Sequence, residues 1–198
     1  MKILIIYCHP SKKSYTFQVL KQLKSVILKQ NWNLEISDLY EMNFQSDMSA
    51  EEYEREGFAK TELPISKDIL AEHKKIENAD CIIFLYPVWW SDCPAKLKGW
   101  FDRVYSVGYA YGQNETSQKM KTLKLGLAIC TAGHPNEFLA EIEIEKSMKN
   151  IMLDDRLGKR FENKEMLILG GTLELEKVIA LHMKQIEDVV ENIKSYFI

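Results

Sequence analysis

Short apolar runs rich in β-branched and aromatic residues alternate along this chain with longer stretches in which apolar residues recur every three or four positions. Strands buried on both faces and joined by crossover helices produce that alternation. Lys2–Tyr7 predicts a strand, and Phe17, Leu20, Leu23, Val26 and Ile27 then fall on one face of a helix. Asn33–Asp38 sets Leu34 and Ile36 among polar neighbours, as in a strand at or near a sheet edge. Leu39–Pro64 holds no sustained period and predicts a surface excursion with a short helix near Ala50–Arg55. A helix is expected over Ser66–Asn78 with Ser66 as its N-cap, then a strand over Asp80–Tyr86 and a helix from Pro94 to about Ser106. Gly108–Met120 predicts a long loop, Leu123–Cys130 a fourth strand, and Pro135–Ile151 a segment containing helix. Glu165–Leu169 predicts a fifth strand closed by Gly170 and Gly171. The last helix, Leu175–Tyr196, carries Val178, Leu181, Ile186, Val189 and Ile193 as its core stripe.

Five strands alternating with helices predict a doubly wound, three-layer α/β/α domain, flavodoxin-like in the strand order 2-1-3-4-5. No repeat, low-complexity tract or linker interrupts residues 1–198, so one domain is expected. Right-handed crossovers bring the carboxyl ends of all strands to one edge. Three loops should meet there: His9–Thr16, Pro87–Cys93 and Thr131–His134. Ligands of open α/β sheets bind at that edge, where the chain switches from strand one to strand three.

Charge and cysteines narrow the function classes. The 26 Lys and Arg against 29 Asp and Glu give a net charge of −3, without the basic field that nucleic acid or an anionic membrane requires. Cys8, Cys81, Cys93 and Cys130 are far apart and lack metal-ligand spacing, which points to reduced, mostly buried thiols and a cytoplasmic location. The apolar run Ile3–Tyr7 is too short for a leader and leads into His9-Pro10 rather than a small-residue cleavage site. No apolar run approaches transmembrane length, so no membrane insertion is expected.

The loops carry the candidate chemistry. His9-Pro10-Ser11-Lys12-Lys13-Ser14-Tyr15-Thr16 places hydroxyls and backbone N–H groups at a helix start, where the dipole favours phosphate. Neither GxxxxGK nor GxGxxG occurs, which argues against nucleotide hydrolysis and ordinary Rossmann binding. Taken alone, Ser11 or Ser14 reads first as an N-cap, and His9 as a structural histidine. Trp89 and Trp90, in a loop stiffened by Pro87 and Pro94, put large aromatic area at the strand end, suited to a planar heteroaromatic ring or to an aromatic core or dimer patch. Thr131-Ala132-Gly133-His134 has small side chains that let backbone N–H groups approach a ligand, or simply make a tight turn. A response regulator would need acids where this chain has Tyr7-Cys8-His9 and Tyr86-Pro87.

With these loops the chain resembles the flavodoxin-like NAD(P)H:quinone oxidoreductase family, which groups quinone reductases, modulators of drug activity and ancillary flavoproteins of potassium-efflux systems. The resemblance rests on His9-Pro10 with Ser14, on Asp38-Leu39-Tyr40 with Phe44, and on Ala79-Asp80. It continues through Pro87-Val88-Trp89-Trp90, the run Pro94–Arg103, and Gly108-Tyr109-Ala110-Tyr111-Gly112. It implies that His9, Ser14, Tyr15 and Thr16 hold the phosphate of a non-covalent FMN or FAD. Pro87, Val88, Trp89, Trp90 and Ser91 would line the flavin ring, the N–H groups of Trp90 and Ser91 facing its N5/O4 edge. Thr131, Ala132 and Gly133 would meet N1/O2. It further implies two-electron, ping-pong hydride transfer from NAD(P)H through the flavin to quinones or similar electrophiles, in a homodimer with Trp89, Trp100, Tyr109 and Tyr111 at the contact. Mammalian-type members place Tyr and His where this chain has Phe138 and Ile144, neither of which carries a proton. His134 is the candidate substitute. Asp102 and Arg103 are expected in surface or interface pairs. The alternatives are a regulatory flavoprotein subunit of a membrane transporter and a one-electron carrier, the latter disfavoured by a charge of only −3.

Overall fold

The computed structural model describes residues 1–112 and 119–197; part of the expected Gly108–Met120 loop lies outside them. Strands β1 (Lys2–Tyr7), β2 (Asn33–Asp38), β3 (Cys81–Pro87), β4 (Leu123–Thr131) and β5 (Phe161–Leu169) form a parallel sheet in the order β2-β1-β3-β4-β5, the predicted flavodoxin-like order. Alternating strand residues feed two cores. Ile3, Ile5, Cys81, Ile83 and Leu127 pack against α1 (Tyr15–Lys29) and α7 (Leu175–Asn192). Leu4, Ile6, Ile82, Phe84 and Ala128 face α3 (Lys67–Asn78) and α4 (Ala95–Val104), joined by residues of α5 (Asn136–Glu141), α6 (Ile144–Lys149) and a π-helix, Asn150–Leu157. Every residue of β3 is buried, which explains its unbroken apolar run. The four cysteines are buried free thiols.

Three elements depart from expectation. β5 begins at Phe161, because Glu162–Glu165 belong to a sheet edge where charged side chains are tolerated and mask the strand pattern. The segment after β4 breaks at Glu143, held at φ 58°, into α5 and α6 before the π-helix. The last α-helix ends at Asn192 and tightens into a 3₁₀ turn over Ile193–Phe197.

The excursion after β2 is clamped rather than loose. α2 (Ala50–Gly57) starts with a capping box between Ser49 and Glu52. Arg103, expected in a surface or interface pair, is buried within the chain: its guanidinium donates to Glu52, Asp68 and the Gln45 carbonyl, since the excursion folds over α4 and covers it. Ser66 sits at the N-cap of α3, but its hydroxyl donates to Glu52 instead of capping. Asp102 remains exposed and pairs with Lys98. Trp100 and Tyr109, expected at an exposed contact, are also buried. The Trp100 indole donates to Glu72 at 2.8 Å, and the Tyr109 ring stacks on His73 at 3.5 Å.

Gly99 lets the excursion reach α4, because a Cβ there would lie 2.2 Å from the Ser46 carbonyl oxygen. Gly99→Ala is expected to cost about 1–3 kcal/mol despite the better helix propensity of Ala, which is worth only about 1 kcal/mol. Urea denaturation checks this.

Candidate functional site

The sheet delivers three loops to one level. Tyr7 pairs with Leu85, Pro87 with Thr131, and Thr131 with Leu169, so β1, β3, β4 and β5 end together. Cross-links join the loops: the Val88 N–H donates to the Thr131 carbonyl at 2.8 Å, Thr16 and Thr131 share a buried hydroxyl hydrogen bond of 2.8 Å, and the rings of His9 and Trp89 meet edge-on at 6.1 Å.

In the first loop, the Ser14 oxygen accepts the Phe17 N–H and caps α1, and its O–H is a further donor at the loop. The N–H groups of Tyr15 and Thr16, in the first helical turn, have no intrahelical acceptor. Burial lowers the His9 pKa. Its Nδ1 accepts the Ser11 N–H, so a neutral ring carries its proton on Nε2. The side chains of Tyr15 and Thr16 are engaged elsewhere, Tyr15 with His182 Nδ1 at 2.9 Å and Thr16 with Thr131. To a phosphate these two residues would therefore offer their backbone rather than their hydroxyls. The Tyr7 hydroxyl is buried without a hydrogen-bond partner, and burial is the main cause that pushes its pKa up to about 12.

In the second loop, Trp89 and Asp92 exchange backbone hydrogen bonds of 2.9 and 3.1 Å around Trp90 and Ser91. Trp90 (φ 49°) and Ser91 (φ 63°) both lie in the left-handed region, the type I′ pattern. Trp90 is fully exposed, at 100%. Among the described residues, neither Trp90 nor Ser91 gives its N–H to an acceptor. Val88 packs partly into the core beneath them.

In the third loop, the Ala132 N–H donates to the Leu169 carbonyl, while the carbonyls of Ala132, Gly133 and His134 accept from Thr172, Leu173 and Gly171. A Cβ on Gly133 would only touch the Leu173 side chain at 3.4 Å, so packing within the chain does not demand glycine there. The demanding position is Gly170, where a Cβ would lie 2.2 Å from Asn136 Oδ1. His134 is exposed, its ring 4.7 Å from that of Phe138. Ile144 is half-buried at the start of α6.

Sequence reasoning missed Arg156 and His182. His182 lies beneath the first loop and lines, with Asn136, Gly170, Gly171, Lys177 and Leu181, a groove of about 160 Å³. Its position in a helix whose apolar stripe reads as core gave no signal.

A flavin suits this donor set. The free N–H groups of α1's first turn, the Ser14 hydroxyl and the His9 Nε2–H match phosphate oxygens, and the outward hairpin N–H groups match a carbonyl-bearing ring edge. Ser14→Ala is expected to remove the cap, costing about 1 kcal/mol of stability in urea, and to weaken flavin binding as well.

Comparison with known proteins agrees with this architecture. The family model described as flavodoxin-like fold matches residues 1–157. NAD(P)H dehydrogenase [quinone] 1 of Rattus norvegicus is 35% identical over 147 residues, which is 67% of this chain and 54% of that protein. The chain thus spans about half the length of that relative. An uncharacterised NAD(P)H oxidoreductase of Haemophilus influenzae is 34% identical over 173 residues, 86% of this chain and 84% of the relative. The solved NAD(P)H:quinone oxidoreductase from Methanothermobacter marburgensis superposes with a TM-score of 0.92 at 38% identity, covering 98% of this chain and 97% of that one. Among the described residues no helix is long and apolar enough to cross a membrane. The chain belongs to the flavodoxin-like fold family, with NAD(P)H:quinone oxidoreductases among its relatives.

Proposed function

We propose that this protein is a flavin-dependent NAD(P)H:quinone oxidoreductase, a single flavin-binding domain acting as a cytoplasmic homodimer. The observation that carries the reading is the meeting of the three loops at the β1/β3 switch point, with unpaired donors on the first two. The similarity to quinone oxidoreductases over nearly the whole chain supports it. Of the relatives described above, none carries the transporter alternative.

A bound flavin supplies the hydride relay between reduced nicotinamide and quinone. The chain's own residues bind and align. Ser14, His9 and the Tyr15 and Thr16 N–H groups hold the phosphate. The Trp90 and Ser91 N–H groups and the Gly133 backbone fix the ring edges, while Pro87, Val88 and Trp89 support its surroundings. Alignment is the main demand, since the reacting atoms must come within about 3–3.5 Å. His134, exposed beside Phe138, is the third loop's imidazole and the candidate for the position that Phe138 leaves without a polar group. The exposed Trp89 and Tyr111 favour cover by a second copy that excludes water from the ring. The groove lined by His182 adjoins the phosphate loop through Tyr15 and favours FAD over FMN.

Purified protein is expected to be yellow, to bleach with NADPH or NADH under anaerobic conditions, and to regain colour with menadione. Mass analysis of the heat-released cofactor distinguishes FAD from FMN. A colourless protein that takes up neither flavin would leave only the fold.

A further inference from the structure

Two successive side-chain-bearing residues at positive φ are an unfavourable choice for a two-residue hairpin, whose type I′ turn ordinarily takes Asn-Gly. Trp90 and Ser91 nonetheless hold it. Among the described residues, Arg156 is the side chain from outside the loop that hydrogen-bonds to the hairpin. This residue is buried near the end of the π-helix, 64 residues later in the chain, and donates to both carboxylate oxygens of Asp92 at 2.6 and 2.8 Å. Asp92 Oδ1 also accepts the Cys93 N–H at 2.6 Å, so the carboxylate is fixed from two directions. The guanidinium is itself seated, 5.4 Å from the Phe101 ring centroid and 3.3 Å from Cys93 Sγ. Burial alone would raise the Asp92 pKa, but the bonds and charge of Arg156, with the Cys93 N–H, outweigh it and lower it, so the pair is ionised near neutrality. A bidentate pair fixes direction as well as distance. It fixes the fourth residue of the turn, and through it the two before.

We infer that Arg156 is a positioning residue that, acting through Asp92, locks Trp90 and Ser91 in the conformation presenting their N–H groups to the flavin ring edge. This rests on the flavin reading above. The Arg156 guanidinium is taken up by Asp92, Cys93 and Phe101, so the role assigned to it is indirect. A π-helix, a form frequent at functional sites, supplies it here from beyond the third loop.

The test uses the full chain with Arg156→Gln, alone and with Ser91→Gly, which adopts positive φ without help. In flavin-free protein, Arg156→Gln is expected to speed hydrogen exchange at the Trp89 and Asp92 amides. Titration with FMN and FAD, followed by flavin fluorescence, is expected to show affinity about tenfold weaker, with Ser91→Gly recovering most of the loss. A general loss of packing would not be recovered by a glycine in the hairpin. Unchanged exchange, affinity within twofold of the parent, or a loss that Ser91→Gly does not recover would each overturn the inference. Should Arg156→Gln not fold, Asp92→Asn, which keeps the side-chain shape and removes the charge, is put through the same measurements. A parent chain that binds neither flavin overturns the flavin reading, while the exchange experiment still reports on the clamp.

Discussion

Arg103→Ala is expected to destabilise the chain by about 3–5 kcal/mol, the cost of breaking a buried ion pair from one side. The guanidinium is enclosed between α4 and the excursion and donates to Glu52, Asp68 and the Gln45 carbonyl. Removing it strands the half-buried Glu52, leaves the more exposed Asp68 and the Gln45 carbonyl without their donor, and frees the excursion from the helix it covers. Urea denaturation at neutral pH measures the loss. Acid titration supplies an independent signature. Burial alone would raise the pKa values of Glu52 and Asp68, but hydrogen bonds and the charge of Arg103 outweigh it and lower both. A carboxylate with a lowered folded pKa contributes stability above its unfolded value of about 4, and that contribution disappears as pH falls through the folded value. The parent should therefore lose stability below about pH 4 more steeply than Arg103→Ala. Parallel acid limbs in the two proteins would contradict this.

Arg103 also marks where the sequence stops being legible. A Lys or Arg on a helix after a strand normally points to solvent, and only the long-range fold of residues 39–66 turns this one inward. The strands were readable because each is an apolar run, most clearly β3, which is buried throughout. β5 was half-readable: Ile168 and Leu169 are buried, but Glu162–Glu165 sit at an edge and follow no burial period. The candidate site divides the same way. The convergence of the three loops follows from strand order and crossover handedness, both available from the pattern. The roles within the loops do not. The hydroxyls of Tyr15 and Thr16 are committed to His182 and Thr131, more than 100 residues away, and Arg156 reaches Asp92 from a π-helix with no sequence signal. Long-range side-chain pairing decides these, and local spacing does not encode it.

Trp90→Ala should separate binding from folding. The indole is fully exposed and sits at the tip of the hairpin, so it contributes no burial to the isolated chain. Surface substitutions of this kind shift stability by no more than about 0.5 kcal/mol. A flavin ring seated on the hairpin would cover the indole, and burying an aromatic side chain is worth about 1.5–3 kcal/mol. At about 1.4 kcal/mol per tenfold, the variant should bind flavin about ten- to a hundredfold more weakly. Its flavin-free thermal midpoint should stay nearly that of the parent. The opposite result, a clear loss of apoprotein stability with affinity retained, would mean that a second copy already covers Trp90 in solution. In that event the loss should shrink on dilution, because a contact between copies is itself lost by mass action in parent and variant alike.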